Sequence, residues 1–104
     1  MTDFNFQTDD RNFQWDENKA KINLKKHNVD FRDATKVFED ENRIERPDYE
    51  HSQDEDRWQV IGSIGEILFV VYTERGDITR IISARKATPY ERSLYYGNRD
   101  LYFT

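Results

Sequence analysis

From Glu55 to Arg85 the hydrophobic pattern changes from scattered to strand-like. Residues 57–64 alternate, placing Trp58, Val60 and Ile64 on one face. Ile67 to Tyr72 (ILFVVY) is an unbroken apolar run, as expected of a strand covered on both faces. Ile78 to Ala84 alternates more weakly, with Ile78, Ile82 and Ala84 on one face and Ile81 on the other. Gly65 and Gly76-Asp77 fall at the two reversals, where glycine reaches positive φ at little steric cost. The pattern predicts three consecutive antiparallel strands carrying most of the continuous apolar sequence.

Upstream, Phe13-Gln14-Trp15 reads as a short strand with both rings on one face. Asp16 is placed to cap a helix over 17–26, with Ala20, Leu24 and His27 on a shared face and Lys19, Asn23 and Lys26 beside it. Asn28 supplies a left-handed stop. Asp30 caps a second helix over 31–39, whose buried stripe is Phe31, Ala34, Val37 and Phe38. A further short strand is expected around 43–45, and DYEHSQDED (48–56) reads as an acidic, turn-rich loop. Thr88-Pro89-Tyr90-Glu91 opens a last helix, with Thr as cap, Pro at the first helical position and Glu completing a capping box. Gly97 is expected to stop it. Residues 1–12 then form a polar arm or added edge strand, 13–97 one domain, and 98–104 a tail. The order of elements is α+β, a small antiparallel sheet with helices packed to one side.

At 104 residues the chain supports one modest core. It has no cysteine, which fits a reducing compartment, and no long apolar run or signal-peptide pattern, so a cytoplasmic location without membrane attachment is the expectation. Net charge is −5, unlike a general nucleic-acid binder. The charge is uneven, however. Residues 1–56 hold 9 basic and 16 acidic residues, whereas residues 57–104 hold 7 and 5. The strand-rich half is the less acidic one, and Arg57, Arg75, Arg80 and Arg85 lie on or at the ends of its strands. Any contact with RNA should be local and salt-sensitive.

EDRW, a glycine, LFVVYTERG, RIISARKA and ERSLYY follow one another in this order, preceded by FQWDENKAKINLKKHNVDFRDATKVFED. Over about Phe13 to Tyr96 the sequence resembles the BrnT family of toxins from bacterial type II toxin–antitoxin systems. One departure is Asn28, where the family usually has glycine. The resemblance implies a RelE-like fold and a metal-independent endoribonuclease that cleaves mRNA and slows growth. It also implies a BrnA-like antitoxin with a ribbon-helix-helix part, through which alone operator DNA would be bound. No cofactor is expected, since metal-ligand and nucleotide-binding motifs are lacking.

RNA can be cut without metal because its own 2′-hydroxyl is the nucleophile. The enzyme must help deprotonate that hydroxyl, stabilise the phosphorane and protonate the leaving oxygen. Arg57, Arg75, Arg80 and Arg85 suit the second task, because a guanidinium binds phosphate oxygens bidentately and stays charged. In a regular strand Arg80 and Arg85 would face opposite ways, so a shared site needs a bulge or a strand end between them. The plainer reading of each arginine is an ion pair with Glu55, Glu66, Glu74 or Glu91. His27 is a candidate acid or base, though a histidine shaping a helix end is the favoured alternative. Glu55 is a candidate base beside Arg57, or simply an ion-pair partner. Lys19 and Lys26 could contact phosphate, or form the wet face of their helix. His51, Arg92 and Arg99 receive no role, and Trp15 and Trp58 read as core. Leu94, Tyr95, Leu101, Tyr102 and Phe103 are surplus apolar residues and form the expected antitoxin-binding surface. The rival to a ribonuclease is a non-catalytic module that uses the arginines to bind a protein or nucleic acid.

Overall fold

The computed structural model describes residues 2–52 and 55–103, with side chains as far as residue 97. Six strands form one sheet: β1 (Asp3–Gln7), β2 (Asn12–Asp16), β3 (Ile44–Pro47), β4 (Trp58–Ser63), β5 (Ile67–Arg75) and β6 (Ile78–Lys86). Their spatial order is β1-β2-β6-β5-β4-β3, and every neighbouring pair is antiparallel except β2 with β6. The helices are α1 (Glu17–His27), α2 (Phe31–Ala34) and α3 (Pro89–Phe103), and Thr35–Glu39 and Tyr49–His51 form 3-10 turns. The α+β class therefore holds, but the helices are not all on one side: α3 packs on the face opposite α1 and α2, and the sheet is antiparallel except for β2 with β6. Residues 3–7 are an added edge strand, with Phe4 stacked on Trp15.

The local signals act as expected at most ends. Asp16 accepts from the N–H groups of Asn18 and Lys19, and Asn28 ends α1 at φ 57°. Gly65 and Gly76 take positive φ at the two hairpins. Thr88 and Glu91 exchange side chain-to-backbone bonds of 3.2 and 2.9 Å, a capping box. Gly97 does not stop α3. It lacks the positive φ of a helix-ending glycine, and a glycine inside a helix costs only about 1 kcal/mol relative to alanine.

Alternation gives the sheet two different faces. On one, Leu68, Val70, Tyr72, Ile81 and Ala84 pack with Phe31, Ala34, Val37 and Phe38 below α1, α2 and the first 3-10 turn. On the other, Ile61, Ile67 and Phe69 pack with Tyr95 at one end only, where α3 crosses. Toward the other end this second face is mixed, with Val71 and Ile82 beside polar and charged side chains.

Two expectations change here. Val71 pairs with Ser83 and Tyr72 with Ile81, so Ile82 is an extra residue in β6. This bulge puts Ile81 and Ala84 on the same covered face, correcting the regular alternation read from sequence. On α1 the inward position belongs to Asn23, whereas Leu24 is largely exposed. Asn23 donates to the carbonyls of Val29 and Ala84 and accepts from the Ala84 N–H. It thereby completes the β6 edge where β2 has stopped pairing.

Candidate functional site

The bulge decides the geometry of the arginines. Because one residue is inserted between them, Arg80 and Arg85 project from the same face of β6, opposite Ile81 and Ala84. Arg57 precedes Trp58 and Arg75 ends β5, and alternation places both on that face as well. Arg46 on β3 joins them, with its Nε donating to Gln59 at 2.8 Å. Five guanidinium groups thus share the sheet face that α1 and α2 leave open.

They fall into two groups. Arg46, Arg57 and Arg85 line a cleft of about 430 Å³ together with Asp48, His51 and Glu91. Arg75 and Arg80 lie beyond it, toward the β5–β6 turn. Arg85 lies 4.2 Å from the Phe69 ring centroid and donates to both oxygens of Glu91 at 2.7 and 3.0 Å. Its Nη1 also donates to the Lys86 carbonyl, so Nε–H and one Nη2 hydrogen are left for a ligand. Among the described residues the Arg57 guanidinium has no hydrogen-bond or ion-pair partner. Arg75 is joined to Glu55 by bonds of 3.2 and 2.9 Å. Arg80 donates to Gln14 at 2.6 Å and to Asp3 at 3.0 Å, and only 14% of its side chain is exposed.

These pairings set the carboxylates. Burial disfavours the Glu91 anion, but the bonds from Arg85 and from the Thr88 N–H outweigh it and hold the carboxyl below its ordinary range. Glu55 is also lowered, first by the hydrogen bond from Arg75. That makes it a weaker base than an unpaired glutamate and an ion-pair partner in this structure.

The remaining sequence candidates lie elsewhere. Lys19, Lys26 and His27 belong to α1 on the covered side of the sheet, so they do not join the arginines. Tyr95 is buried among Ile61, Ile67 and Phe69 and donates to Asp40 at 2.6 Å. It is a core residue, not an open docking position, and Leu94 is half-buried against the same cluster. Leu101, Tyr102 and Phe103, like Arg99, lie outside the residues whose side chains are described.

The sequence reading missed Arg46 and the pair Asp48–His51. Arg46 sits two residues after Ile44 in a strand placed slightly too early, and correct bounds would have shown its outward position. The Asp48 and His51 spacing of three, in an acidic segment, is a weak signal that only the folded turn makes visible.

Comparison with known proteins bears on the family of the chain and not on its individual site residues. A protein-family model described as "Ribonuclease toxin, BrnT, of type II toxin-antitoxin system" matches residues 15–91. The crystal structure of the Brucella abortus ribonuclease toxin BrnT is similar at 31% identity, with a TM-score of 0.58, covering 71% of this chain and 92% of that one. No curated protein gives a significant match. Among the described residues, no helix is long and apolar enough to cross a membrane.

Proposed function

This chain belongs to the BrnT family of ribonuclease toxins of type II toxin–antitoxin systems, and from that premise we propose that it cleaves mRNA on the open arginine-bearing face of its sheet. The observation that carries the reading is the convergence of Arg46, Arg57 and Arg85 on one cleft, to which the β6 bulge turns Arg85. The guanidinium groups supply the positive charge that a pentacoordinate phosphorane requires, and Gln59 and Glu91 hold those of Arg46 and Arg85 in place. The substrate supplies its own nucleophile, so metal independence follows as part of the proposal. Arg57 and Arg85 are the phosphate contacts, Arg46 supports them, and Arg75 and Arg80 shape the field and the strand ends.

An antitoxin partner goes with the family. We take it to be a BrnA-like ribbon-helix-helix protein, which would carry any operator binding. The test is cleavage of a defined RNA by purified protein in excess EDTA, together with growth arrest on expression. Cleavage that survives EDTA and disappears on adding excess antitoxin supports the reading. Intact RNA and normal growth would leave the arginine face as a recognition surface.

A further inference from the structure

We propose that His51 is the general base of the cleavage reaction and that Asp48 positions it, an inference that rests on reading the chain as an RNA-cleaving enzyme. His51 lines the same cleft as Arg57 and Arg85. Its Nδ1 lies 3.1 and 3.0 Å from the two oxygens of Asp48, a carboxylate only 4% exposed. The His51 side chain itself is 62% exposed. A hydrogen on Nδ1, donated to that carboxylate, leaves the lone pair on Nε2 without a partner among the described residues and open to a ligand.

The turn that carries this pair is fastened to the start of β4. The Asp48 N–H donates to the Arg57 carbonyl at 2.8 Å. The Arg57 N–H donates to the Ser52 hydroxyl at 2.8 Å, and that hydroxyl donates to the Asp48 carbonyl at 2.7 Å. These bonds fix the backbone of the imidazole's turn relative to the backbone of Arg57, whose guanidinium has no partner among the described residues. A buried carboxylate holding an exposed imidazole beside a phosphate-binding arginine provides orientation and charge at one point.

The step balances without any co-reactant except water. Nε2 accepts the 2′-hydroxyl proton as the 2′-oxygen–phosphorus bond forms. The phosphorus–5′-oxygen bond breaks, the departing oxygen takes a proton from water, and the imidazolium returns its proton to solvent. The products are a 2′,3′-cyclic phosphate and a 5′-hydroxyl. The charged groups facing His51 are Asp48 and Glu50 from its own segment and Arg46, Arg57, Arg85 and Glu91 across the cleft.

The experiment measures kcat/KM on a defined oligoribonucleotide from about pH 5 to about pH 9, the range in which histidine titrates. Wild type, His51→Ala, Asp48→Asn and Arg85→Ala are compared, and folding is checked by melting. His51→Ala should lose about a hundred- to ten-thousandfold in rate, lose the acidic limb of the profile, and recover in part with added imidazole. Asp48→Asn should slow cleavage and displace the limb. His51 is exposed, so its variant tests the base even if the buried Asp48 variant folds poorly. Cleavage by His51→Ala within about threefold of wild type, with its acidic limb intact, overturns the base assignment while leaving the ribonuclease reading in place. A wild type that cleaves no RNA overturns both.

Discussion

Arg80 and Arg85 stand on one strand and one face, and each is held by two or more acceptors, yet they have different surroundings. Arg85 faces the cleft, is 34% exposed and keeps donors free. Arg80 is 14% exposed and ties β6 to Gln14 of β2 and Asp3 of β1. Asp3 lies before the family-matched residues 15–91, so this arginine is engaged by a segment outside that match. On the face proposed to cleave RNA, the difference separates a guanidinium engaged in holding strands together from one that keeps donors for a ligand. What matters is whether its remaining donors can reach a phosphate.

The largest expected effect tests this difference directly. Arg85→Ala should lower kcat/KM by about a hundred- to a thousandfold, as expected for loss of a preorganised charge, equivalent to about 3–4 kcal/mol. Its folding free energy should change by about 1 kcal/mol or less, because the ion pair is partly solvated and Glu91 keeps the Thr88 N–H. Arg80→Ala should show the reverse pattern. It should lose about 1–2 kcal/mol of stability through the missing charge-assisted bonds, with a rate loss under about tenfold. Paired melting and cleavage assays on the two variants decide the matter. Equal rate losses at equal stability would erase the distinction between the two arginines.

A second effect comes from behind the sheet. Asn23 bonds both backbone groups of Ala84, next to Arg85, through a side chain that is itself buried. Asn23→Ala leaves that buried N–H and two carbonyls without their partner and should cost about 2–3 kcal/mol. Amide hydrogen exchange should show faster opening around residues 83–85 than around 78–80, which β2 still covers. Uniform loosening of β6 would mean that Asn23 supports the fold at large and not the cleft end.

The parts legible in sequence were those with local causes. Caps, turns and the doubly buried β5 depend on residues a few positions apart, and Asp16, Asn28, Gly76 and Thr88–Glu91 behave accordingly. The four strand arginines were visible as an anomaly of composition, and the need for a bulge was visible as a question of parity. The position of the bulge was not, because an inserted Ile82 continues an apolar pattern without breaking it. The sequence places Asn23 only beside the face of Ala20, Leu24 and His27, and its inward role is hidden there because its partners are backbone groups 61 and 6 residues away. Tyr95 looked surplus for the same kind of reason. The cluster that buries it exists only where α3 crosses the second face.

The smallest effect concerns acid. Burial pushes the Glu91 carboxyl up, but Arg85 and Thr88 bring it net below its ordinary value of 4.5. A carboxyl depressed by folding is protonated first in the unfolded chain, so its contribution is complete above about pH 4.5 and fades as pH falls toward the lower folded value. Asp40 behaves alike. Burial opposes its charge, and Tyr95 with the N–H groups of Ser63 and Asn42 overcomes that opposition. Wild-type stability should therefore be flat near neutrality with respect to these groups and fall on acidification. Arg85→Ala removes the chief group favouring the Glu91 anion, so between about pH 5 and about pH 3 its curve should fall less steeply than that of wild type, by about 1 kcal/mol at most. Arg80→Ala leaves the Glu91 contacts in place and should keep the wild-type slope at Glu91. Denaturant titrations at stepped pH make the comparison. Identical acid slopes for wild type and Arg85→Ala would show that the Arg85–Glu91 pair contributes nothing to the fold, leaving Arg85 free to turn fully toward a bound phosphate.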